Sequence, residues 1–459
     1  MHGWYNSAFL TQKFTYPVAG ERHLNMMIDI ALIVYGGLVL VAFALYLPKM
    51  VGIRYGFRKI KRIPAIDKRK IGIVIPARNE YLVVGELFDS IAKQDYDKRF
   101  FDVFVVVKEH DDPTIELASR YGYQVTTIDT QTCKGEALDG FFKTLSEEQF
   151  AEFSAFVIVD ADGVVAPDYL TELNNALEYP VDIFVTRKLA KNFLKGKVYR
   201  SVYSNCAALT WPMLDDMGNA FRTQKGLPLN LCGQGLMVRC GVIRKLGGWP
   251  YRTMTEDYEL KLDGIILKGF TSAYYPHALL YTEEAIGYRE NFSRRVRWLT
   301  GYSQCASKYK RQIVKQVKRN KRLSGGEREY FFGISCYAIY LIATICIMLT
   351  GVAFAIYYAV VGSNLWLNAF VELSVAPIIA LYLLLLVYTL VALYVSRDAF
   401  RLITLRERLA MVLYNPLYIL EYLGAYIKGR CNILFKKKIL WKPTKRVVNK
   451  GTKQGEEVS

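Results

Sequence analysis

Residues 330–371 contain no charged side chain. A helix needs about 20 apolar residues to cross the hydrocarbon core of a bilayer, and this stretch is about twice that length. Because Gly362-Ser363-Asn364 interrupts it, we predict one helix before this break and another over about 373–395. Residues 26–47 form a further apolar run whose only charge is Asp29. The sequence therefore predicts three transmembrane helices.

The basic residues are clustered beside these apolar runs, and the chain has a formal net charge of +18. One cluster lies between 54 and 70, a second between 308 and 322, and a third between 436 and 450. Cytoplasmic flanks of membrane spans are enriched in Lys and Arg. We therefore expect an integral protein of the plasma (cell) membrane, with residues from about 50 to 329 in the cytosol. The clusters favour contact with membrane lipids and argue against nucleic-acid binding.

Residues 409–428 are apolar but contain Asn415, Pro416 and Glu421. If this segment crossed the membrane, the basic C-terminal tail would lie on the outer side. We favour an interfacial or re-entrant helix, and a fourth span is the alternative.

Between residues 70 and 286, short β-branched runs alternate with helix-like stretches. The runs that read as buried strands are 71–75, 101–107, 123–128 and 155–159, and helices are predicted near 81–93, 112–120 and 134–145. This alternation predicts an α/β fold with a mostly parallel, Rossmann-like sheet. Ligands of such sheets bind beyond the carboxyl ends of the strands.

Acidic residues follow three of these predicted strands. Glu80 and the acids of residues 108–112 follow the first two strands, and Asp160 and Asp162 follow the fourth. Paired carboxylates at a strand end can hold a hard divalent cation, which would bridge a diphosphate and neutralise its charge. The alternative for this D-x-D pattern is an ordinary turn, because Asp and Gly favour turns.

Seven short motifs occur in a fixed order along the chain: IPARNE (75–80), CKGEAL (133–138), VDADG (159–163), CGQG (232–235), GGW (247–249), TED (255–257) and RRVRW (294–298). Together they resemble the family 2 glycosyltransferases with a GT-A fold, and in particular their membrane-integrated branch. That branch includes the cellulose, hyaluronan and poly-N-acetylglucosamine synthases and the ceramide glucosyltransferases. The resemblance covers roughly residues 70–310.

The resemblance implies a role for each matching position. Asp160 and Asp162 are implied as ligands of Mg²⁺ or Mn²⁺, and Asp257 as the general base, with Glu256 beside it as a second catalytic residue. The implied acceptor-binding residues are Trp298, Cys232 and Gly233. The implied donor-binding residues are Pro76, Ala77, Asn79, Glu80, Glu109, Asp111, Lys134, Asp160, Arg294 and Arg297.

Alternatives remain at several of these positions. Glu109 and Asp111 compete for the role of the acid that contacts the nucleotide base. Arg294 stands where polymerising synthases commonly have Gln. Trp298 can also be a membrane-interface aromatic residue, and Asp257 lies where a helix N-terminus is predicted.

The expected function is inverting transfer of a sugar from a nucleotide-diphosphate donor, a UDP-sugar, to a growing polysaccharide. The alternative is a single transfer to a lipid such as ceramide, diacylglycerol or a polyprenyl phosphate. The expected domains are an extracytoplasmic segment (1–25), a first transmembrane helix (26–50), a basic linker (51–70), a GT-A catalytic domain (71–286), interfacial helices with the RxxRW motif (287–329), two transmembrane helices (330–396), and an interfacial or re-entrant helix with a basic cytosolic tail (397–459).

Overall fold

The computed structural model describes residues 59–194, 200–320, 324–332, 335–360 and 370–435, together with isolated positions between 26 and 56 and at 367. The predicted span 26–47 lies largely outside the described residues, and the basic cluster 436–450 lies wholly outside them. The chain divides into two compact units, one of residues 1–47 and 333–381 and the other of residues 48–332 and 382–459.

The first half of the catalytic domain forms the predicted alternation of strands and helices. Its parallel strands are β1 (Ile71–Pro76), β2 (Phe101–Val107), β3 (Gln124–Thr127) and β4 (Ala155–Ile158). Its helices are α1 (Tyr81–Ala92), α2 (Thr114–Arg120), α3 (Lys134–Thr144) and α4 (Glu147–Glu152). The bounds of these strands agree with the sequence prediction. A continuous β-branched run is typical of a parallel strand that is buried on both faces, and few other structures accommodate such a run.

The second half adds four strands to this sheet. The added elements are β5 (Val164–Val165), α5 (Tyr169–Ala176), β6 (Ile183–Ala190), α6 (Val202–Pro212), α7 (Ala220–Gln224), β7 (Leu236–Arg239), α8 (Cys240–Leu246), α9 (Glu256–Leu260) and β8 (Ser272–Thr282). The strand order of the whole sheet is β3-β2-β1-β4-β7-β6-β8-β5. β7 is antiparallel to both of its neighbours, β4 and β6, while β6 and β8 are parallel. The α/β class with a mostly parallel sheet is thereby confirmed.

Both faces of the sheet are covered, and successive residues of each strand pack on opposite sides. Ile71, Ile73 and Ile75 pack in one buried cluster together with residues of α1. Val74 packs on the other side with Phe141, among residues of α3. Burial of these strands on two faces leaves their polar carboxyl ends as the edge that is open to ligands.

The C-terminal part of the chain is helical. Its helices are α10 (Tyr288–Asn320), α11 (Gly325–Phe332), α12 (Ser335–Val360), α13 (Ala376–Val395) and α14 (Leu405–Leu434). Among the described residues, α13 is the one helix that is long and apolar enough to cross a membrane, and Ile345–Val360 is a shorter apolar helical stretch.

The polar residues of the ambiguous segment 409–428 are satisfied by neighbouring helices. The segment lies within α14, which continues through Pro416. Arg295 of α10 is buried, and its Nη1 donates to Glu421 Oε2 at 3.1 Å. Asn415 Nδ2 donates to the Thr389 hydroxyl at 2.8 Å. These bonds fix α14 to α10 and α13 without leaving a charge uncompensated.

Removal of the Glu421 carboxylate should destabilise the protein strongly. Glu421→Ala would leave the buried Arg295 guanidinium without its ion-pair partner, which typically costs about 3–5 kcal/mol. The exposed pair of Arg120 and Glu116 offers the control, because Glu116→Ala should cost at most about 0.5 kcal/mol. Denaturant unfolding of the purified protein measures both, and equal midpoints would contradict the structural role of Glu421.

Candidate active site

The Lys134 ammonium lies at the centre of the candidate site. Its Nζ donates to Asp160 Oδ1 at 2.5 Å and to the Gly233 carbonyl at 2.8 Å, and lies 3.4 Å from Glu256 Oε1. Lys134 is the first residue of α3, while its partners follow β4, precede β7 and begin α9. One cation therefore joins four of the motifs that the sequence singled out.

A side chain at Gly233 would displace two charged groups of the site. A methyl group added there would lie 2.8 Å from Glu256 Oε1 and 3.0 Å from Lys134 Nζ. Cys232, which precedes it, has its pKa raised to about 12 by burial, and the Asp257 and Asp160 carboxylates add to this shift. The predicted acceptor residues Cys232 and Gly233 thus lie beside the acids of the candidate site.

The two acids of the TED motif have different environments. Glu256 is buried, and burial raises its pKa, whereas the Lys134 ammonium lowers it and the Asp257 carboxylate raises it again. Asp257 is half-buried, and its Oδ1 accepts from the Tyr258 backbone N–H at 2.7 Å. Burial raises the pKa of Asp257 as well, although backbone hydrogen bonds and Lys134 oppose the shift. Both acids consequently hold a proton at a higher pH than ordinary carboxylates do.

The two acids of the D-x-D motif also differ in their surroundings. Asp160 is partly exposed and pairs with Lys134, while Asp162 is buried. The Asp162 carboxylate contributes to a raised pKa of Glu284, whose main cause is burial, so Asp162 lies near Glu284. Across the described part of the chain, no group of three or more His, Cys, Asp and Glu side chains is arranged as a metal site.

The loops after β1 and β2 are joined to each other. Arg78 donates to Glu109 Oε1 from Nε at 3.3 Å and from Nη2 at 3.2 Å. Asn79 has a φ of +55°, and its backbone N–H donates to Asp112 Oδ2 at 2.9 Å. Asp111 is exposed, whereas Asp112, for which the motifs imply no role, is buried. Asp112 thus holds the first loop in place.

Three other predicted donor residues frame the same loop. Pro76 is the last residue of β1. Ala77 is buried and donates its backbone N–H to the Val106 carbonyl at 2.9 Å. Glu80 occupies the N-cap of α1. The loop between them is therefore anchored at both ends.

Trp298 of α10 belongs to a second group of side chains, together with Arg294, Glu284 and Trp211. The Arg294 guanidinium lies 5.0 Å from the centroid of the Trp298 ring and 3.5 Å from Glu284 Oε2. Trp211 Nε1 donates to Glu284 Oε1 at 2.6 Å, and its ring packs edge-on against Trp298 at 6.2 Å. Glu284 therefore orients both an arginine and an indole. Arg297, on the same helix, is half-buried.

Family membership follows from comparison with known sequences. A model described as glycosyl transferase family group 2 matches residues 155–396, which is more than half of the chain. The chain belongs to this family. It is therefore a glycosyltransferase, and the expectation that the protein is an enzyme of this class is confirmed.

Two curated relatives are glycosyltransferases by name. The probable glycosyltransferase YdaM of Bacillus subtilis (strain 168) is 22% identical over 307 residues, which is 66% of this chain and 71% of that protein. The uncharacterized glycosyltransferase YaiP of Escherichia coli (strain K12) is 25% identical over 265 residues, which is 55% of this chain and 62% of that protein.

Comparison with solved structures concerns the fold. The mannosyltransferase PcManGT from Pyrobaculum calidifontis, solved in complex with GDP-Man and Mn²⁺, aligns with a TM-score of 0.51 at 16% identity. The alignment covers 90% of this chain and 99% of that one. At this identity the likeness supports a shared fold.

Two ion pairs with a fully buried acid were not predicted from the sequence of this glycosyltransferase. Lys188 of β6 and Asp215 are fully buried and lie 2.8 Å apart, and the Lys188 ammonium is 5.6 Å from the centroid of the Trp211 ring. Glu259 is also fully buried and accepts hydrogen bonds from Lys308 and Tyr309 of α10. The sequence contains the charges of both pairs but does not show which of them meet.

Gly233→Ala should lower glycosyl transfer by about 10- to 100-fold, because displacement of a catalytic group by even 1 Å can cost that much. The methyl group would move only the ends of Glu256 and Lys134, so the unfolding temperature should change little. Gly241→Ala is the control, because nothing lies within 4 Å of a methyl group there. Release of nucleoside diphosphate measures the rate. Equal rates in both variants would contradict the arrangement around Lys134.

Proposed function

We propose that this glycosyltransferase is an inverting enzyme of the membrane-integrated branch. It transfers a sugar from a nucleotide-diphosphate donor, a UDP-sugar, to a growing polysaccharide in β-linkage, and its catalytic domain faces the cytosol. The observation that carries the proposal is the contact of the Lys134 ammonium with both Asp160 and Glu256. This contact brings Asp160 of the D-x-D motif and Glu256 of the TED motif together, and we propose that donor and acceptor meet there.

The donor would lie across the carboxyl ends of the first strands. Pro76, Ala77, Asn79 and Glu80 would hold the nucleotide base together with Glu109, and the exposed Asp111 is the alternative acid. The ion pair with Arg78 fixes the Glu109 carboxylate, and this favours Glu109 over Asp111 as the acid that contacts the nucleotide base.

The donor diphosphate would lie between the D-x-D motif and α10. Asp160 and Asp162 would hold a Mg²⁺ or Mn²⁺ ion. Mg²⁺ is commonly bound through one or two carboxylates together with substrate phosphates, so this donor set fits such an ion. When bound, the cation neutralises charge on the departing diphosphate. Arg294 and Arg297 would contact the same diphosphate, since guanidinium groups bind phosphate oxygens in a bidentate manner.

Asp257 is the better candidate for the general base. Glu256 is buried and in contact with Lys134, so its carboxylate serves to hold the Lys134 ammonium group. Asp257 is more exposed, and its raised pKa strengthens it as a proton acceptor. The base works in its ionised form, so transfer should decline as the pH falls through this raised pKa.

The reaction is a single displacement. The acceptor hydroxyl gives its proton to the Asp257 carboxylate, and its oxygen forms a bond to the anomeric carbon. The bond from that carbon to the diphosphate breaks, and the electron pair leaves with the nucleoside diphosphate. The indole of Trp298, oriented by Arg294 and Trp211, would support the acceptor sugar. An α-linked donor would give a β-linked product.

Asp257→Asn should abolish transfer while donor binding survives, because the amide cannot accept the proton. Loss of a general base typically costs about 100- to 10,000-fold in rate. Nucleoside diphosphate release measures transfer, and calorimetry measures donor affinity. Asp168→Asn, at a half-buried position outside the site, should keep full activity. Full activity of Asp257→Asn would exclude Asp257 as the base.

A lipid acceptor is the second candidate, and the surface of α13 favours it. Only 11% of the most apolar window of this helix is buried within the protein, so its side chains are available to a lipid phase. Incubation of the purified enzyme with radiolabelled nucleotide sugars and membrane lipid separates the two acceptors. A polysaccharide synthase gives a ladder or smear of high molecular mass, whereas a single-transfer enzyme gives one labelled species that partitions into organic solvent.

A further inference from the structure

The Glu259 carboxylate accepts hydrogen bonds from four donors. Its Oε2 accepts from the backbone N–H groups of Arg252 at 3.0 Å and Thr253 at 2.9 Å. Its Oε1 accepts from the Tyr309 hydroxyl at 3.0 Å and from the Lys308 ammonium. The side chain is fully buried. Burial raises the pKa of Glu259, but the hydrogen bonds from Lys308 and Thr253 outweigh burial and lower this pKa overall, so the group is ionised near neutral pH.

Glu259 connects the short helix α9 to two other segments of the chain. Two of its donors lie in the loop that leads into the TED motif, and the other two lie on α10. Helix α9 has only five residues, and helices of this length are not stable by themselves, so contacts with other segments determine where it lies. Asp257 and Glu259 belong to the same turn of α9, so a shift of Glu259 would also move Asp257.

Two lysines from different elements hold the acids on either side of Asp257 in the sequence. Lys134 of α3 lies 3.4 Å from Glu256 Oε1, and Lys308 of α10 pairs with Glu259. Asp257 itself accepts the backbone N–H of the next residue. The two outer acids are thus attached to other elements, and this fixes the helix that carries Asp257.

Helix α10 also contacts the start of the TED motif through small side chains. A methyl group on Gly301 would lie 2.7 Å from Thr255 Oγ1. Cys305 Sγ lies 3.0 Å from the Thr253 hydroxyl and donates to the Thr255 carbonyl at 3.6 Å. Gly301, Cys305 and Lys308 are spaced by four and three residues, so they share one face of α10. This face therefore supports both the loop before α9 and, through Lys308, α9 itself.

We propose that Glu259, held by Lys308, is a positioning residue for Asp257, a role that rests on the proposed function of Asp257 as the general base. Lys308 compensates the buried carboxylate, and Glu259 then holds the turn of α9 in the place where Asp257 can accept the proton of the acceptor hydroxyl. No part of Glu259 is exposed, so it acts through Asp257 and not on a substrate.

The test measures the turnover of the purified full-length enzyme by release of nucleoside diphosphate. Lys308→Met should lower turnover by about 10- to 100-fold, because displacement of a catalytic group by 1 Å can cost about that much. Lys308→Arg should restore most of the rate, since it keeps the charge and since the side chain of Lys308 is 49% exposed, which leaves room for a longer one. Lys310→Met is the matched control, because Lys310 is exposed on the same helix. It should keep full turnover.

Calorimetric titration separates positioning from loss of folded protein. The titrant is the nucleoside diphosphate that the wild-type enzyme releases. Lys308→Met should bind it with unchanged affinity and with an unchanged number of sites per chain, because the donor does not contact Glu259. Loss of binding sites in proportion to the lost turnover would show that the pair only maintains the fold, and this would overturn the positioning role.

A double variant shows whether the pair acts through the base. In an Asp257→Asn background, Lys308→Met should lower the remaining rate by less than about threefold, because residues that act as a unit are not additive. The full loss in that background would overturn the proposal. Full activity of Asp257→Asn alone would reject the base itself. Full turnover of Lys308→Met beside an inactive Asp257→Asn would reject only the positioning role.

Discussion

The contacts of the Lys134 ammonium determine how the candidate active site is built. Asp160, Glu256 and Asp257 would repel one another if their carboxylates met in a partly buried place without a cation, and each would lose hydration as well. Lys134 offsets both effects for Asp160 and Glu256 and also donates to the Gly233 carbonyl. The bare backbone at Gly233 is what permits this approach. A single charge thereby joins the D-x-D, CGQG and TED motifs.

Helix α10 connects this site to the helices that follow it. Lys308 and Tyr309 bind the buried Glu259 of α9, and so hold the TED acids from one side. Two neighbours in the RRVRW motif point to different partners: Arg294 pairs with Glu284, and Arg295 pairs with Glu421 of α14. Consecutive residues of a helix lie about 100° apart, so adjacent arginines necessarily serve different surfaces. The motif therefore contacts Glu284 through one arginine and helix α14 through the next.

Helix α14 has two chemically different faces, and this explains the mixed composition of residues 409–428. Its polar residues bond to α10 and α13, as in the contacts of Asn415 with Thr389 and of Glu421 with Arg295. Its leucines remain exposed on another side. A helix with this division lies against protein on one face and is suited to lipid on the other. The polar residues are thus compatible with the interfacial placement that the sequence favoured, although the position of the helix in a membrane stays a prediction.

The α/β class, the first four strands and the family resemblance could all be predicted from the amino-acid sequence. Its β-branched runs permit little other than buried strands, and its ordered motifs were specific as a set. It also singled out Lys134, Asp160 and Asp257. The folded chain was needed to see which charges meet, namely Lys134 with Asp160 and Glu256, and Lys188 with Asp215. It was also needed to see that the two TED acids have different environments. Periodicity indicates the local burial of a chain segment, whereas an ion pair depends on the distance between segments that only folding brings together.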